Sequence, residues 1–533
     1  MGMLYFGDNL EVFRKGFIRE ATVDLIYLDP PFNSKKQYNI IFKTPKGFSS
    51  EAQSYLFKDY WEWGEAEKEY DEVIHCGNVK IATILRALRS FLGQNDLMAY
   101  LTMMTNRLLE MHKLLKPEGS LFLHCDPTAS HYLKVILDGI FGGNFKNEII
   151  WHYSGWNAKL KTSFNSRHDT ILFYSKSPYP KFLSYSVPWT SEEEYLKTRK
   201  QKVYVDATGR KYVLSDAGHG SRIKRYIDEA MAYGKPVDDV WEIDKINNSS
   251  KEALGYPTQK PLSLIERIIL ACTETGDLIL DPFCGCGTTI HAAEKHKRAW
   301  IGVDVTHLAI TIVEERLKKH FPEVKYQVNG TPLDLEGAID LAKRSPYNFE
   351  SWACSLIGAY PFNNGKKGAD KGIDGKIFFN VHQKDEEAVV SIKSGEHLNV
   401  SAVRELICVT DREKAKIGVL VTLYPPTRGM REEASNAGFY KPHFVDGKFP
   451  KIQILTIDGL LKGTEQVLYP DISRGAVPSR KGRIGAKVAP AQRSFFFTYS
   501  GGRNDEIDPQ PAVSGSSPRQ RKKKTVGSEI IMD

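Results

Sequence analysis

The order of apolar and polar positions divides the chain into short strands and amphipathic helices. The run VDLIYL at 23–28 is almost entirely apolar and ends at Asp29, which predicts a buried strand. From 96 to 115, apolar residues recur every three or four positions, which predicts an amphipathic helix. The other predicted strands are SLFLHC after a turn at 117–119, then 148–151, 170–174, 277–280 and 300–303, and the other predicted helices are 262–272 and 288–295.

This alternation occupies two blocks, 1–175 and 246–335, and predicts one parallel sheet with helices on both faces. The range 176–245 between them differs, because 176–235 holds twelve Lys/Arg against seven Asp/Glu, interleaved with tyrosines. A further unit occupies 340–470. The range 474–533, rich in Ser, Pro, Gly and basic residues, has the composition of a disordered tail.

The formal net charge of +8 says little about a nucleic-acid partner, since 474–533 alone holds twelve Lys/Arg against five Asp/Glu. No apolar run reaches the roughly 18–20 residues that span a bilayer, and the first residues lack a signal-peptide pattern. The seven cysteines contain no CxxC pair. We therefore expect a cytoplasmic protein with reduced thiols and no membrane contact. The sequence leaves the oligomeric state open, with a homodimer as one alternative.

The first candidate for chemistry is Asp29-Pro30-Pro31-Phe32, directly after the first buried strand. Ligands of open parallel sheets bind beyond the carboxyl ends of the strands. There, the carboxylate and the rigid backbone carbonyls can accept hydrogen bonds from an exocyclic amine, and Phe32 offers a stacking face. An amine held by two acceptors becomes a better nucleophile toward a methyl sulfonium. For this motif alone, a plain strand-ending turn is an equal alternative.

The second candidate is DPFCGCGTT at 281–289, between a predicted strand and a predicted helix. Gly285 and Gly287 let backbone amides approach a ligand closely. The spacing is not GxGxxG, which disfavours a dinucleotide. Asp304 ends the next strand, like the acidic residues that bind ribose hydroxyls. The unit predicts a nucleoside pocket, with a plain strand–helix connection as the alternative.

Phe283-x-Gly285-x-Gly287 together with Asp-Pro-Pro-Phe resembles the DNA N6-adenine and N4-cytosine methyltransferases. The catalytic motif precedes the cofactor motif, as in the circularly permuted beta group. GDNL at 7–10, LFLHCD at 121–126, HDTIL at 168–172 and TQKP at 258–261 agree in the same order, so the resemblance covers about 3–320. It implies a Rossmann-like, S-adenosylmethionine-dependent methyltransferase sheet that acts on double-stranded DNA, with a target-recognition insert at 176–245.

The resemblance also implies roles for single residues. Asp29 and the Pro30 carbonyl hold the target amine, with Pro31 in the same motif, while Phe32 stacks on the flipped base. Asp rather than Ser at the first motif position favours adenine N6 over cytosine N4. The residues implied in cofactor binding are Asp8 near the adenine, Thr258, Gln259 and Lys260 near the carboxylate, Asp281, Phe283, Cys284, Gly285, Gly287 and Thr288 around the methionine part, and Asp304 on the ribose.

A further pattern lies in the range 346–425. Glu350 falls in a helical stretch, Asp374 in GIDGK, and Lys393 in VVSIKSG. Two carboxylates and a lysine so placed could bind Mg²⁺ and position an attacking water. The pattern resembles the Mrr-type branch of the PD-(D/E)XK nucleases, which implies a second α/β, restriction-endonuclease-like domain at 340–470. The departure is Ser391, a weak neutral ligand where that pattern has an acid or Gln.

The sequence is therefore interpreted as a site-specific DNA methyltransferase in a restriction–modification context, with an endonuclease activity in its second domain. For that domain, a DNA-binding relic of a nuclease and a functionless GxDG hairpin turn remain alternatives. A solitary N6-adenine or N4-cytosine methyltransferase whose second domain only binds DNA is one rival. The other is an RNA or protein-glutamine methyltransferase, against which the basic insert and the nuclease-like domain argue.

Overall fold

The computed structural model describes residues 2–470, apart from short gaps at 32–36, 44–48, 59–60, 62, 156–159, 161, 184, 248, 255, 257, 363–371, 382–383 and 443–446. Phe32 and the predicted tail at 474–533 lie outside the described residues.

Among the described residues, the first part of the chain contains sixteen strands and ten helices. The strands are β1 (Gly2–Phe6), β2 (Val23–Leu28), β3 (Gln37–Lys43), β4 (Ser49–Lys58), β5 (Leu115–Cys125), β6 (Phe145–His152), β7 (His168–Ser175), β8 (Ser186–Val187), β9 (Val203–Val205), β10 (Lys211–Asp216), β11 (Arg222–Tyr226), β12 (Lys235–Pro236), β13 (Val240–Glu242), β14 (Leu278–Asp281), β15 (Ala299–Asp304) and β16 (Tyr326–Asn329). The helices are α1 (Asn9–Arg14), α2 (Trp63–Ile74), α3 (Val79–Leu92), α4 (Asp96–Leu114), α5 (Ser130–Phe141), α6 (Glu192–Arg199), α7 (Ile227–Tyr233), α8 (Leu262–Cys272), α9 (Thr288–Lys295) and α10 (His307–His320).

A nine-stranded sheet in the order β13-β6-β7-β5-β2-β14-β15-β1-β16 forms the frame of this part. The expectation of a parallel sheet is wrong for β7, which runs antiparallel to both β5 and β6. The cause is the connection from β6 to β7, whose described residues form no helix. Parallel neighbours normally need a crossover, usually a helix, whereas a chain that turns straight back pairs antiparallel.

Most predicted elements agree with the structure, and three of them, β2, α8 and α9, have the predicted bounds. Helix α4 begins at a cap, where the Asn95 side chain accepts a hydrogen bond from the Met98 amide. The predicted turn at 117–119 is instead an irregular part of β5, and the pairing register with β2 shifts between Val23 and Leu25. The proline at 117 lacks a ladder donor, which fits such an irregularity.

The insert between β7 and α8 has a small core of its own, formed by Trp189, Tyr195 and Ile227. Its three-stranded sheet, β11-β10-β9, carries the stacked rings of Tyr204 and Tyr212. Some of its aromatic residues therefore form a core, and others lie on the three-stranded sheet. The last strand of the range 176–245, β13, pairs with β6 and so belongs to the main sheet.

The second domain contains α11 (Leu335–Arg344), α12 (Pro346–Leu356), β17 (Tyr360–Pro361), β18 (Gly375–Val381), β19 (Lys384–Lys393), α13 (Val400–Arg412), β20 (Ile417–Thr422), α14 (Arg428–Asn436), β21 (Phe439–Tyr440), β22 (Phe449–Pro450), β23 (Ile452–Thr456) and α15 (Ile457–Leu461). Its five-stranded sheet has the order β17-β18-β19-β20-β23 and is mixed, because β17, β18 and β19 pair antiparallel.

The two domains share buried apolar surface. Cys286, Leu308 and Ile312 of the first domain lie in one apolar cluster with Val403 and Leu406 of the second. Burying a side chain of this size contributes about 1.5–3 kcal/mol. We call this cluster the shared core. In the part of the chain that the structure describes, no helix is both long and apolar enough to cross a bilayer.

Candidate active site

A cavity of about 530 Å³ opens at the carboxyl ends of β2, β14 and β15. It brings together most of the residues that the sequence had singled out along almost 300 positions. Those that line it are Asp8, Asp29, Pro30, Pro31, Thr258, Gln259, Lys260, Asp281, Phe283, Cys284, Gly285, Thr288 and Asp304. Gly287 does not line the cavity but caps α9 directly behind it.

The two oxygens of the Asp29 carboxylate have different surroundings. Oδ2 accepts a hydrogen bond from Lys260 Nζ, and both side chains are largely buried. Oδ1 is buried and has no hydrogen-bond partner among the described residues; His124 Nδ1 lies 3.5 Å from it. A buried carboxylate oxygen without a donor is costly, so this atom is a prepared acceptor for a ligand N–H.

His124 connects Asp29 to a second carboxylate. Its Nδ1 is 3.3 Å from the Tyr27 hydroxyl, and its Nε2 is 3.3 Å from Asp169 Oδ2. Burial and the nearby Lys260 ammonium lower the pKa of His124, which keeps the imidazole neutral. Although burial opposes it, the hydrogen bond from His124 and the nearby Lys245 and Lys260 ammonium groups lower the pKa of Asp169 to about 2. The geometry thus places a neutral imidazole between two carboxylates.

The glycine-rich turn is built tightly. Gly285 and Gly287 have φ of +48° and +74°, in the left-handed region, and a Cβ on Gly287 would lie 2.8 Å from Val313 Cγ2. Asp304 Oδ2 accepts from the Gly285 amide at 2.9 Å, and Oδ1 accepts from the Thr306 amide at 2.8 Å. Burial raises the pKa of Asp304. This carboxylate therefore fixes the turn itself, and the residue also lines the cavity.

Two of the predicted cofactor residues also serve the protein's own backbone. Asp8 caps α1, accepting from the Leu10 amide at 2.8 Å, and its Oδ2 accepts from Arg107 Nη2 at 2.7 Å. The Gln259 amide group donates to the Glu252 carbonyl and accepts from the Leu254 amide. Their cofactor contacts, like those of the other implied residues, stay predictions.

The sequence did not single out several residues that line the cavity: Trp61, Met103, Arg107, Tyr256, Tyr347 and Asn348. Arg107 left a signal, because it is a charged residue inside the apolar pattern of α4. It is buried and pairs with Asp8 and, at 3.1 Å, with Glu69. No sequence pattern marks the other five residues, since their place at the cavity depends on how distant segments pack.

In the second domain, Gly375 at the start of β18 pairs antiparallel with Val390 of β19. Asp374 precedes Gly375 and Ser391 follows Val390, so the two residues are neighbours. Asp374 Oδ2 accepts from the Ile392 amide at 2.6 Å. Burial raises the pKa of the Cys354 thiol, and the carboxylates of Asp374 and Glu350 raise it further. The thiol donates to the Asp374 carbonyl at 3.5 Å. Across the described ranges, no three His, Cys, Asp or Glu side chains form a group suited to a metal ion.

The fold and the cavity define an α/β enzyme with a nucleoside-sized site next to a buried carboxylate. The chain belongs to the DNA methylase family of N6 and N4 methyltransferases, whose family model matches residues 23–315. A second family model, described as a restriction endonuclease with an Mrr catalytic domain, matches residues 341–448. The chain is thus a DNA methyltransferase of the S-adenosylmethionine-dependent, restriction–modification type.

Individual relatives agree with this assignment. The chain is 27% identical to the type II methyltransferase M.EcaI of Enterobacter cloacae over 58% of this chain and 68% of the relative. It is 28% identical to M.BglII of Bacillus subtilis over 54% and 72%. Among solved structures, the cytosine-N4-specific PvuII methyltransferase is similar at 17% identity over 62% of this chain and 96% of that one, with a TM-score of 0.35.

Proposed function

We propose that this protein transfers a methyl group from S-adenosylmethionine to the exocyclic amine of a base flipped out of duplex DNA, with adenine N6 as the target. The observation that carries the proposal is Asp29 Oδ1, a buried acceptor without a donor at the wall of the 530 Å³ cavity. An amine N–H is the group that would satisfy it. A base reaches such a recessed atom only after it leaves the stack.

The residues present fit the methyl donor. The left-handed Gly285 and Gly287 leave the turn without side chains, so its backbone can approach a ligand closely. Phe283, Gly285 and Thr288 would hold the methionine part, and Asp304 the ribose. When bound, S-adenosylmethionine supplies a methyl group on a positively charged sulfur.

Asp29 and Lys260 then work as a pair on the base. The Lys260 ammonium at Oδ2 stabilises the negative charge of the carboxylate, which leaves Oδ1 as a charged acceptor for one amine hydrogen. The Pro30 carbonyl accepts the other hydrogen. Held in this way, the amine nitrogen directs its lone pair away from the two acceptors, toward the donor site. The side chains position the amine and form no covalent bond with it.

The methylated nitrogen carries a positive charge and must lose one proton. Asp29 Oδ1 is the acceptor that already holds that N–H. Neutral His124, 3.5 Å away, can take the proton on Nδ1 while its Nε2 faces Asp169. The proton passes from the methylated nitrogen to Asp29 Oδ1 and then to His124 Nδ1. His124 releases its Nε2 proton to Asp169, which is partly exposed and can pass it to solvent.

Recognition of the DNA sequence is proposed for the insert. Its exposed side carries Lys224 at 4.7 Å from the Tyr212 ring centre, and Lys202, Tyr204 and Arg222 line a second cavity of about 470 Å³. Basic side chains next to aromatic rings suit phosphates and unstacked bases. Duplex DNA is therefore the proposed partner.

The test is methyl transfer from radiolabelled S-adenosylmethionine to unmethylated duplex DNA, followed by digestion and identification of the labelled nucleoside. We expect label in N6-methyladenine, lost in Asp29→Asn and retained in Asp71→Asn, which removes an exposed carboxylate on α2. Label in N4-methylcytosine would move the target to cytosine. Transfer to RNA or protein, and to no DNA, would overturn the proposal.

A second activity, Mg²⁺-dependent DNA cleavage, is favoured by the neighbouring positions of Asp374 and Ser391, with Lys393 two residues further along β19. Glu350 and Asp374 would be the Mg²⁺ ligands. We expect nicking or cleavage of unmethylated plasmid in Mg²⁺ but not in EDTA, lost in Asp374→Asn and in Lys393→Ala. Tight DNA binding by the full chain without any cleavage would support a DNA-binding domain instead.

A further inference from the structure

The wall of the 530 Å³ cavity, the proposed site of the methyl donor, is not made by the methylase part alone. Ser345, Tyr347 and Asn348 also line it. These residues lie beyond 315, where the match to the DNA methylase family ends, and inside the range 341–448 that matches a restriction endonuclease. One domain therefore supplies part of the wall of the other domain's cavity.

Packing fixes these residues in place. Helix α12, which begins with Pro346 at its first turn, buries Phe349 and Trp352 in the same apolar cluster as Ile310 and Val313 of α10. Proline at this position favours a helix start because its missing N–H would be unpaired there anyway. The shared core adds a second contact between the domains on Leu308 and Ile312. Tyr347 and Asn348 thus belong to a packed helix and not to a free linker.

The position relative to the cofactor turn suggests which part of the ligand they meet. Helix α12 packs against α10, and α10 begins three residues after Asp304, the residue proposed for the ribose. A tyrosine offers a ring face and a hydroxyl, and an asparagine offers both a donor and an acceptor. These groups suit a nucleoside, with its aromatic base and its hydroxyls.

We propose that the restriction-endonuclease-like domain completes the methyl-donor site, with Tyr347 and Asn348 contacting the adenosyl part of bound S-adenosylmethionine. This inference rests on the proposed function. The same helix carries Glu350, one turn beyond Tyr347, so the donor site and the proposed nuclease residues share one rigid element. Bound S-adenosylmethionine would therefore contact a helix of the second domain.

Affinity for S-adenosylhomocysteine, the demethylated product, gives a readout that needs no turnover. By titration calorimetry on the full chain, we expect Tyr347→Ala and Asn348→Ala to weaken binding by about 5–50-fold, the loss of one or two contacts. Arg344→Ala is the matched control, because Arg344 is exposed and lies just before α12. Hydrogen exchange should also slow in peptides covering 345–356 when the ligand is added.

The outcomes separate this inference from the proposed function. Failure of the wild-type chain to bind S-adenosylhomocysteine would contradict the proposed function itself. Normal binding by the wild type, with unchanged affinity in both variants and unchanged exchange at 345–356, would overturn only the role of the second domain. Thermal melting of each variant shows whether a loss of affinity reflects unfolding, and Tyr347→Phe, which keeps the ring, should retain most of the affinity.

Discussion

Lys260 Nζ donates a hydrogen bond to Asp29 Oδ2, joining the segment ahead of the cofactor turn to the proposed catalytic carboxylate across 231 positions of sequence. The resemblance implies that Lys260 lies near the cofactor carboxylate. The observed contact gives it another role, to stabilise the charge of Asp29. Loss of the Lys260 ammonium would weaken cofactor binding in the first role, and would slow methyl transfer in the second.

We expect Lys260→Met to lower kcat for methyl transfer by roughly 10²-fold, because Asp29 would lose its charged partner in a buried site. The dissociation constant for S-adenosylhomocysteine should stay within about twofold of the wild type. Lys318→Met, on the exposed side of α10, is the control. Weaker cofactor binding at unchanged kcat would instead assign Lys260 to the cofactor.

Replacement of His124 by Asn, or of Asp169 by Asn, should slow methyl transfer by about 10²-fold without a change in KM for DNA, since the path for the released proton is interrupted. Because the two residues act in one chain, the double variant should be no slower than the slower single variant. Tyr153→Phe removes only a 3.1 Å hydrogen bond to Asp169 and serves as the control. Single-turnover rates give the measurement.

The lowered pKa of His124 adds a pH test to the same pair. Because the pKa of His124 is lowered, its imidazole is already neutral below pH 6.5. The wild-type rate of methyl transfer should therefore show no step near that pH. A step at that pH that disappears in His124→Asn would contradict a neutral His124.

Gly287→Ala should destabilise the fold and weaken S-adenosylhomocysteine binding. The new Cβ would be strained at φ +74° and would lie 2.8 Å from Val313, and the strain alone costs about 1–2 kcal/mol. Gly276→Ala has a similar φ of +91° with open space around its Cβ, so it measures the strain without the collision. A melting temperature equal in the two variants would show that Val313 yields.

Asp281 should make stability depend on pH. Burial raises the pKa of Asp281 to about 7 in the folded protein, against about 3.9 in an unfolded chain. The folded state thus binds this proton more tightly, and its contribution to stability is lost as pH rises from about 4 through 7. The melting temperature of the wild type relative to Asp281→Asn should therefore fall between pH 5 and pH 8. A difference that is constant or grows with pH would contradict a raised pKa.

Much of the fold could be predicted from local pattern. The strand VDLIYL and the helix Leu262–Cys272 have their predicted bounds because each is a clear apolar run or periodicity between strong boundary signals. The direction of β7 could not be predicted, since an apolar run gives a strand but not its orientation. The predicted turn at Pro117 lies instead within β5, in the irregular stretch between the pairs Val23–Leu115 and Leu25–Ser120, which a local turn signal does not reveal.

The site could be predicted as far as motifs reach. Asp29, Gly285 and Asp304 line one cavity because each follows a strand, and parallel strands bring their carboxyl ends together. The contacts of Lys260 and His124 with Asp29 needed the structure. Tyr347 could not be predicted at all, because it comes from a domain with a different family pattern.

The shared core makes the first domain depend on the second domain for the burial of some of its apolar residues. Cys286, Leu308 and Ile312, next to the cofactor turn, are covered by side chains of the second domain. A premature stop codon after residue 340 would expose them to water together with the helix face that Trp352 covers. We therefore expect a product truncated there to be less stable than the full chain.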